Sequence, residues 1–168
     1  PLRHIEDREA LWTGLVNGDL DFITTDHCPF TTGQKEKYKD DFRKIPKGIG
    51  GVGTLLPLIY SEGVIKGRIT LERMVKLLCE NPAWHYGFYP KKGNLLPGAD
   101  ADIVLLDPEV EWTITPESTG TAADYTVYDG MNIKGRIHKV IRRGSTVIED
   151  GEFIKPEKSG EFLTRIPG

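Results

Sequence analysis

The sequence has little cysteine. Its two residues, Cys28 and Cys79, lie far apart and form no C-x-x-C pair. That excludes a disulfide framework and a thiolate zinc site, and it fits a reducing, cytoplasmic setting. No apolar run approaches the roughly 20 residues of a membrane-spanning helix. A secretory leader is also missing, as is an initiator Met: the chain opens on Pro1-Leu2-Arg3, which reads as mid-protein sequence, so a truncated start is expected. There is no excess of positive charge. Lys and Arg number 22 against 25 Asp and Glu, a net charge of −3, and the basic residues stand singly or in pairs. Neither nucleic acid nor an anionic membrane is an expected partner. The dinucleotide fingerprint, the phosphate loop, internal repeats and low-complexity tracts are all absent.

What is present is a core-forming composition, 38% hydrophobic with three Trp, six Tyr and six Phe in 168 residues. Over residues 6–18, Leu11, Trp12 and Leu15 recur at helical spacing, and Asn17-Gly18 supplies the stop. Residues 20–25 are β-prone and end in Asp26-His27-Cys28-Pro29, the pattern of one helix–strand unit of an α/β barrel. Residues 30–53 form a polar, glycine-rich loop with Gly33, Gly48, Gly50, Gly51 and Gly53. Helices are predicted over 54–64 and 70–80, the second capped by Thr70 and stopped by Asn81-Pro82, with a brief helical turn around 83–87. Beyond Gly93 the pattern turns to short strands at 93–98, 102–107, 111–114, 135–142, 145–148 and 152–154. The Arg143-Gly144 and Asp150-Gly151 pairs form the turns between the last three.

A carboxylate at the C-terminal tip of a barrel strand faces the mouth where such barrels do chemistry. Asp26 is therefore a candidate metal ligand or proton acceptor; the alternative is that it caps a turn or the following loop. Neighbours along a strand point opposite ways, so His27 is read as a structural, hydrogen-bonded residue beside the site. Cys28 is read as a small buried hydrophobe. The glycines at 48, 50, 51 and 53 either cradle a ligand with their backbone or allow a mobile loop to turn. His85, among Trp84, Tyr86, Phe88 and Tyr89, reads as packing. His4 and His138 have no suggestive neighbours, and the Lys91-Lys92 and Arg142-Arg143 pairs read as solvated charge.

Several segments carry a resemblance that spans nearly the whole chain. They include Thr24-Thr25-Asp26-His27-Cys28-Pro29-Phe30, Gly33-Gln34-Lys35-Glu36, Lys44-Ile45-Pro46, Glu80-Asn81-Pro82-Ala83, Pro97-Gly98-Ala99-Asp100-Ala101-Asp102 and Asp150-Gly151-Glu152-Phe153. In these the chain resembles the hydantoinase/dihydropyrimidinase family of cyclic amidohydrolases. The resemblance implies an α/β fold: residues 1–92 as the last part of a metal-dependent (β/α)8 barrel, and 93–168 as C-terminal strands of a small composite β-sandwich. It implies hydrolysis of the ring amide of hydantoins or dihydropyrimidines to N-carbamoyl amino acids through metal-bound hydroxide. Two divalent ions, usually zinc, would be shared by a carboxylated lysine and several histidines outside this chain.

By the same resemblance Asp26 is the catalytic, metal-binding aspartate that moves the proton to the leaving nitrogen. Backbone groups of Lys47 and Gly48, after Ile45-Pro46, hold the cyclic substrate. Lys47 stands where the family often has Asn, and Gly53 where it often has an acidic residue. A cyclic amide is the expected small-molecule partner, a homotetramer the expected assembly of the full-length protein, and the piece alone is expected to be inactive. Two other outcomes fit the same residues: a non-catalytic, dihydropyrimidinase-like interaction protein, in which the strand-end Asp is typically lost, or an inactive truncated product.

Overall fold

The Leu11, Trp12 and Leu15 spacing builds a first helix, α1 (Ile5–Asn17), in the computed structural model, which describes residues 2–154 and 160–165. Asp7 accepts the His4 N–H at its start (3.3 Å). Gly18, left-handed at φ 88°, ends the helix by donating to Gly14 O. Only Leu15 is buried, with Trp12 packed beside it.

The β-prone residues 20–25 form no strand. A strand needs a neighbour to complete its ladder, and no described segment runs alongside. Helical residues answer its polar groups instead. Ile23 N–H donates to Leu77 O (3.1 Å), Arg73 Nη2 donates to Leu20 O (3.2 Å), and Asn81 Nδ2 donates to Asp21 O (2.6 Å).

The polar stretch that follows contains a helix the sequence did not announce, α2 (Thr32–Glu36). Thr31 and Gln34 close a reciprocal capping box at its start. Next, α3 (Leu55–Ile59) passes into a π-helical turn (Tyr60–Ile65), and α4 (Leu71–Val75) into another (Lys76–Glu80) that continues as α5 (Asn81–His85). Thr70 caps α4, its hydroxyl accepting from Arg73 N–H at 3.1 Å. The expected stop at Asn81-Pro82 does not occur. The widened turn re-phases the hydrogen bonds, so Pro82 falls in the first turn of α5, where no N–H is needed.

Four antiparallel strands follow in sheet order: β1 (Ile103–Thr113), β2 (Asn132–Arg142), β3 (Ser145–Glu149) and β4 (Glu152–Phe153). The two predicted stretches 102–107 and 111–114 are largely one strand, with a register shift between Asp107 and Glu111 where Pro108 cannot donate to the ladder. Both predicted turns form, with Arg143 and Gly144 at φ 45° and 80° and Asp150 and Gly151 at φ 50° and 83°. Residues 93–98 make turns rather than a strand, with Gly93 and Gly98 both at positive φ. Those turns bring charges together. Lys92 pairs with Asp100 (2.8 Å) and Asp102, while Lys91 and Arg143 share Glu161 (3.0 and 2.5 Å). These three cations are thus paired, not simply solvated.

One helical segment ties helices and sheet together. Tyr60 joins Leu15, Ile69, Met74 and the fully buried Leu77, while Leu58 joins Ile114 and Ile133 of the sheet side. Gly135 of β2 lies directly on the Tyr60 ring; at φ 98°, a Cβ there would sit 2.4 Å from it. Among the described residues no helix is long and apolar enough to cross a membrane.

Candidate active site

Residues 20–25 lead the chain to Asp26, whose backbone is left-handed (φ 47°). Asp enters that region more readily than most residues because its short side chain can bond locally, but the conformation still costs roughly 1 kcal/mol and needs outside support. The next two residues supply it. His27 Nδ1 accepts the N–H groups of Gly51 (3.0 Å) and Val52 (3.2 Å), and Cys28 N–H donates to Ile49 O (3.1 Å). With Nδ1 accepting, the neutral ring carries its proton on Nε2. His27 has the structural place expected of it. The Asp26 carboxylate is exposed and makes no hydrogen bond or ion pair with the described residues.

Cys28 differs from expectation: its thiol is exposed. The loop backbone fills one side, and no described residue covers the other. That loop is fitted closely. A Cβ on Gly48 would lie 2.4 Å from Cys28 O, and one on Gly53 only 1.9 Å from Thr119 O. Glycine at 48 and 53 is therefore demanded by backbone approach, not by a need for looseness. At Gly50 the nearest atom to an added Cβ is 3.7 Å away, so that position makes no such demand.

Lys35, on α2, closes the loop from the other side. Its ammonium donates to Pro46 O (2.8 Å) and Gly48 O (3.0 Å), the carbonyls flanking Lys47. The Lys47 side chain is exposed. The N–H groups of Lys47 and Gly48 and the Lys47 carbonyl have no partner among the described residues. Such a turn can offer both donors and an acceptor to a ligand. The three predicted site residues thus sit on two segments, 26–29 and 46–53, that hydrogen bonds hold side by side. Sequence reasoning gave Lys35 no role; a lone Lys in a polar loop carries no signal of what its ammonium will reach.

Among the described residues no group of three His, Cys, Asp or Glu converges to hold a metal ion. The donor set fits one ligand contributed to a divalent ion: a hard carboxylate oxygen at Asp26, committed to no protein partner. Two other histidines have ring or charge neighbours. His85 lies on Phe22 (4.8 Å between ring centres) beside Tyr86, but the residue is exposed rather than part of a core. His138 does have a neighbour, Asp150 at 2.5 Å, brought across by the β3–β4 turn.

Residues 2–147 match the amidohydrolase family. The chain is 42% identical to the D-hydantoinase of Streptomyces coelicolor over 98% of its own length and 35% of that protein's. It is 39% identical to the D-phenylhydantoinase of Escherichia coli over 99% and 36%. Superposed on the solved D-hydantoinase of Bacillus sp. AR9 it gives a TM-score of 0.93 at 40% identity, over 98% of this chain and 36% of that one. The chain thus spans about a third of the length of the curated relatives it matches.

Proposed function

The chain belongs to the amidohydrolase family, and on that premise we propose that the complete protein is a hydrolase of cyclic amides. In this reading it opens the ring amide of a hydantoin or dihydropyrimidine by adding water across the C–N bond, giving an N-carbamoyl amino acid. The observation that carries the proposal is Asp26: an uncommitted carboxylate in a left-handed backbone, fixed by its neighbours' hydrogen bonds rather than by its own. Backbone strain of that kind gathers at functional sites.

Asp26 would be one ligand of a divalent metal pair, zinc in this proposal, with the other ligands supplied from outside this chain. When bound, the pair supplies the Lewis acidity that polarises the ring carbonyl and makes water nucleophilic near neutral pH. Asp26 would also accept a proton from the attacking water and pass it to the departing ring nitrogen. Lys47 and Gly48 orient the ring. A cyclic imide presents an acceptor, a donor and an acceptor along one edge, and the open backbone groups of this turn can pair with it.

Residues 1–92 form the last part of a metal-bearing barrel in this proposal, and 93–168 the C-terminal strands of a β-sandwich. The run 20–25 then gains its missing ladder from the rest of the barrel. A homotetramer in the cytoplasm completes the picture. One carboxylate cannot hold a metal pair, so the 168-residue chain alone is expected to be inactive. A non-catalytic relative would have no need of Asp26. The test is turnover of hydantoin and dihydrouracil by the complete protein and by its Asp26→Ala variant. Loss of about 10³-fold or more in kcat is expected, in the upper range for removing a proton-transfer group; near-parent turnover would remove Asp26 from the mechanism.

A further inference from the structure

The substrate turn sits in a stretch, 30–53, that contributes no residue to either apolar cluster. Cys28 N–H on Ile49 O and His27 on the Gly51 and Val52 N–H groups hold one side of it. Two further polar links reach it from the other side. Lys35 holds the carbonyls on both sides of Lys47, and so decides which way the Lys47 carbonyl and the adjacent N–H groups face. Lys35 stands on α2, a helix of five residues and too short to persist unaided. The anchor of α2 comes from the far side of the sequence: Asp124 Oδ1 accepts both Thr32 N–H (2.7 Å) and Thr32 Oγ1–H (3.2 Å), across a separation of 92 positions. Asp124 belongs to the connection between β1 and β2. That connection is itself seated on the glycine loop where Thr119 O meets Gly53.

We propose that Asp124 and Lys35 are positioning residues, a relay by which the sheet part of the chain sets the Pro46–Lys47–Gly48 turn to receive the cyclic amide. What the turn binds rests on the hydrolase reading above; how it is held does not. Neither side chain touches the reacting atoms. Their effect falls on the geometry of substrate binding, so it appears in KM ahead of kcat.

The experiment uses the complete protein with Lys35→Met, Asp124→Leu, Asp124→Asn and Thr32→Pro. Thr32 is the first residue of α2, where proline is tolerated, so Thr32→Pro removes both groups that Asp124 accepts and leaves the helix able to form. Steady-state kinetics are read with hydantoin and dihydrouracil, and amide hydrogen exchange is followed across residues 46–52, where the Gly51 and Val52 N–H groups are the bonded ones. For Lys35→Met, Asp124→Leu and Thr32→Pro, KM is expected to rise about tenfold with kcat within about threefold, and exchange at 46–52 to quicken. Asp124→Asn keeps an acceptor oxygen and is expected to restore KM to within about twofold of the parent. Combining Lys35→Met with Asp124→Leu is expected to add little to the worse single change, as for members of one relay. An unchanged KM, a loss confined to kcat, or unaltered exchange in the folded variants would overturn the proposal. A parent protein that turns over neither ring would instead defeat the hydrolase reading, leaving exchange at 46–52 to decide the relay by itself.

Discussion

The sheet and the Asp26 loop are ordered by different means. In the sheet, backbone answers backbone: β1 pairs with β2 from Ile103–Ile141 to Thr113–Asn132, β3 closes on β2, and left-handed Arg143-Gly144 and Asp150-Gly151 turns set the register. Between residues 26 and 53 almost nothing repeats. Order there comes from single contacts over long separations: His27 with Gly51 and Val52, Lys35 with two carbonyls, Thr32 with Asp124, and Gly53 with Thr119. A ladder shares its strength among many bonds and tolerates the loss of one. The loop has no such reserve, and it presents its open polar groups because no ladder consumes them.

The first test of that contrast is the helix–sheet junction, to which residues 30–53 contribute nothing. Leu77 is fully buried between α1 and the helices, and Leu77→Ala is expected to destabilise the complete protein by about 3 kcal/mol, measured by denaturant unfolding. Gly135→Ala strikes the sheet itself, with positive φ and the Tyr60 ring 2.4 Å from the new methyl. About 2 kcal/mol is expected, with β1–β2 register kept. A small effect at both positions would mean the helix–sheet contact is slack.

Glycines of the loop sharpen the comparison. Gly53→Ala places a methyl 1.9 Å from Thr119 O and must push the β1–β2 connection away, whereas Gly50→Ala meets nothing closer than 3.7 Å. The first is expected to cost about 1–2 kcal/mol and to raise amide exchange across 46–52; the second is expected to stay within about 0.5 kcal/mol of the parent. Equal behaviour of the two would show that the loop is not seated on Thr119.

How much of this was legible in the sequence follows the same division. Features fixed by neighbours in the chain were readable: the Gly18 stop, the Thr70 cap and both glycine turns of the sheet. Features fixed by distant partners were not. Nothing local at Asp124 or Thr32 announces their contact, nor at Gly53 the carbonyl it must avoid. Residues 20–25 have strand composition but no described neighbour, and Pro82 is absorbed by a π-helical turn that no residue pattern signals. Asp26 is legible from its place at the end of a β-prone run, and its left-handed backbone adds a physical reason to notice it.

The smallest expected effect is acid sensitivity. Thr32 N–H donation holds the Asp124 carboxyl below the usual carboxylate range. A group depressed in the folded state contributes its stability above its unfolded pKa and loses it as pH falls through the folded value. Below about pH 4, the protection of the Thr32 N–H that Asp124 accepts is therefore expected to fall, relative to its intrinsic exchange rate, while β1–β2 amides, whose bonds do not titrate, stay protected. Simultaneous loss of protection in both regions would contradict the division drawn here.

Asp26 is proposed as the carboxylate this chain contributes to a metal site completed elsewhere in the protein. A zinc-edge anomalous diffraction study of the complete protein tests it most directly. An Asp26 oxygen about 2.0–2.2 Å from a metal ion is expected. An ordered Asp26 carboxylate facing solvent, with every bound metal beyond coordinating distance, would contradict it.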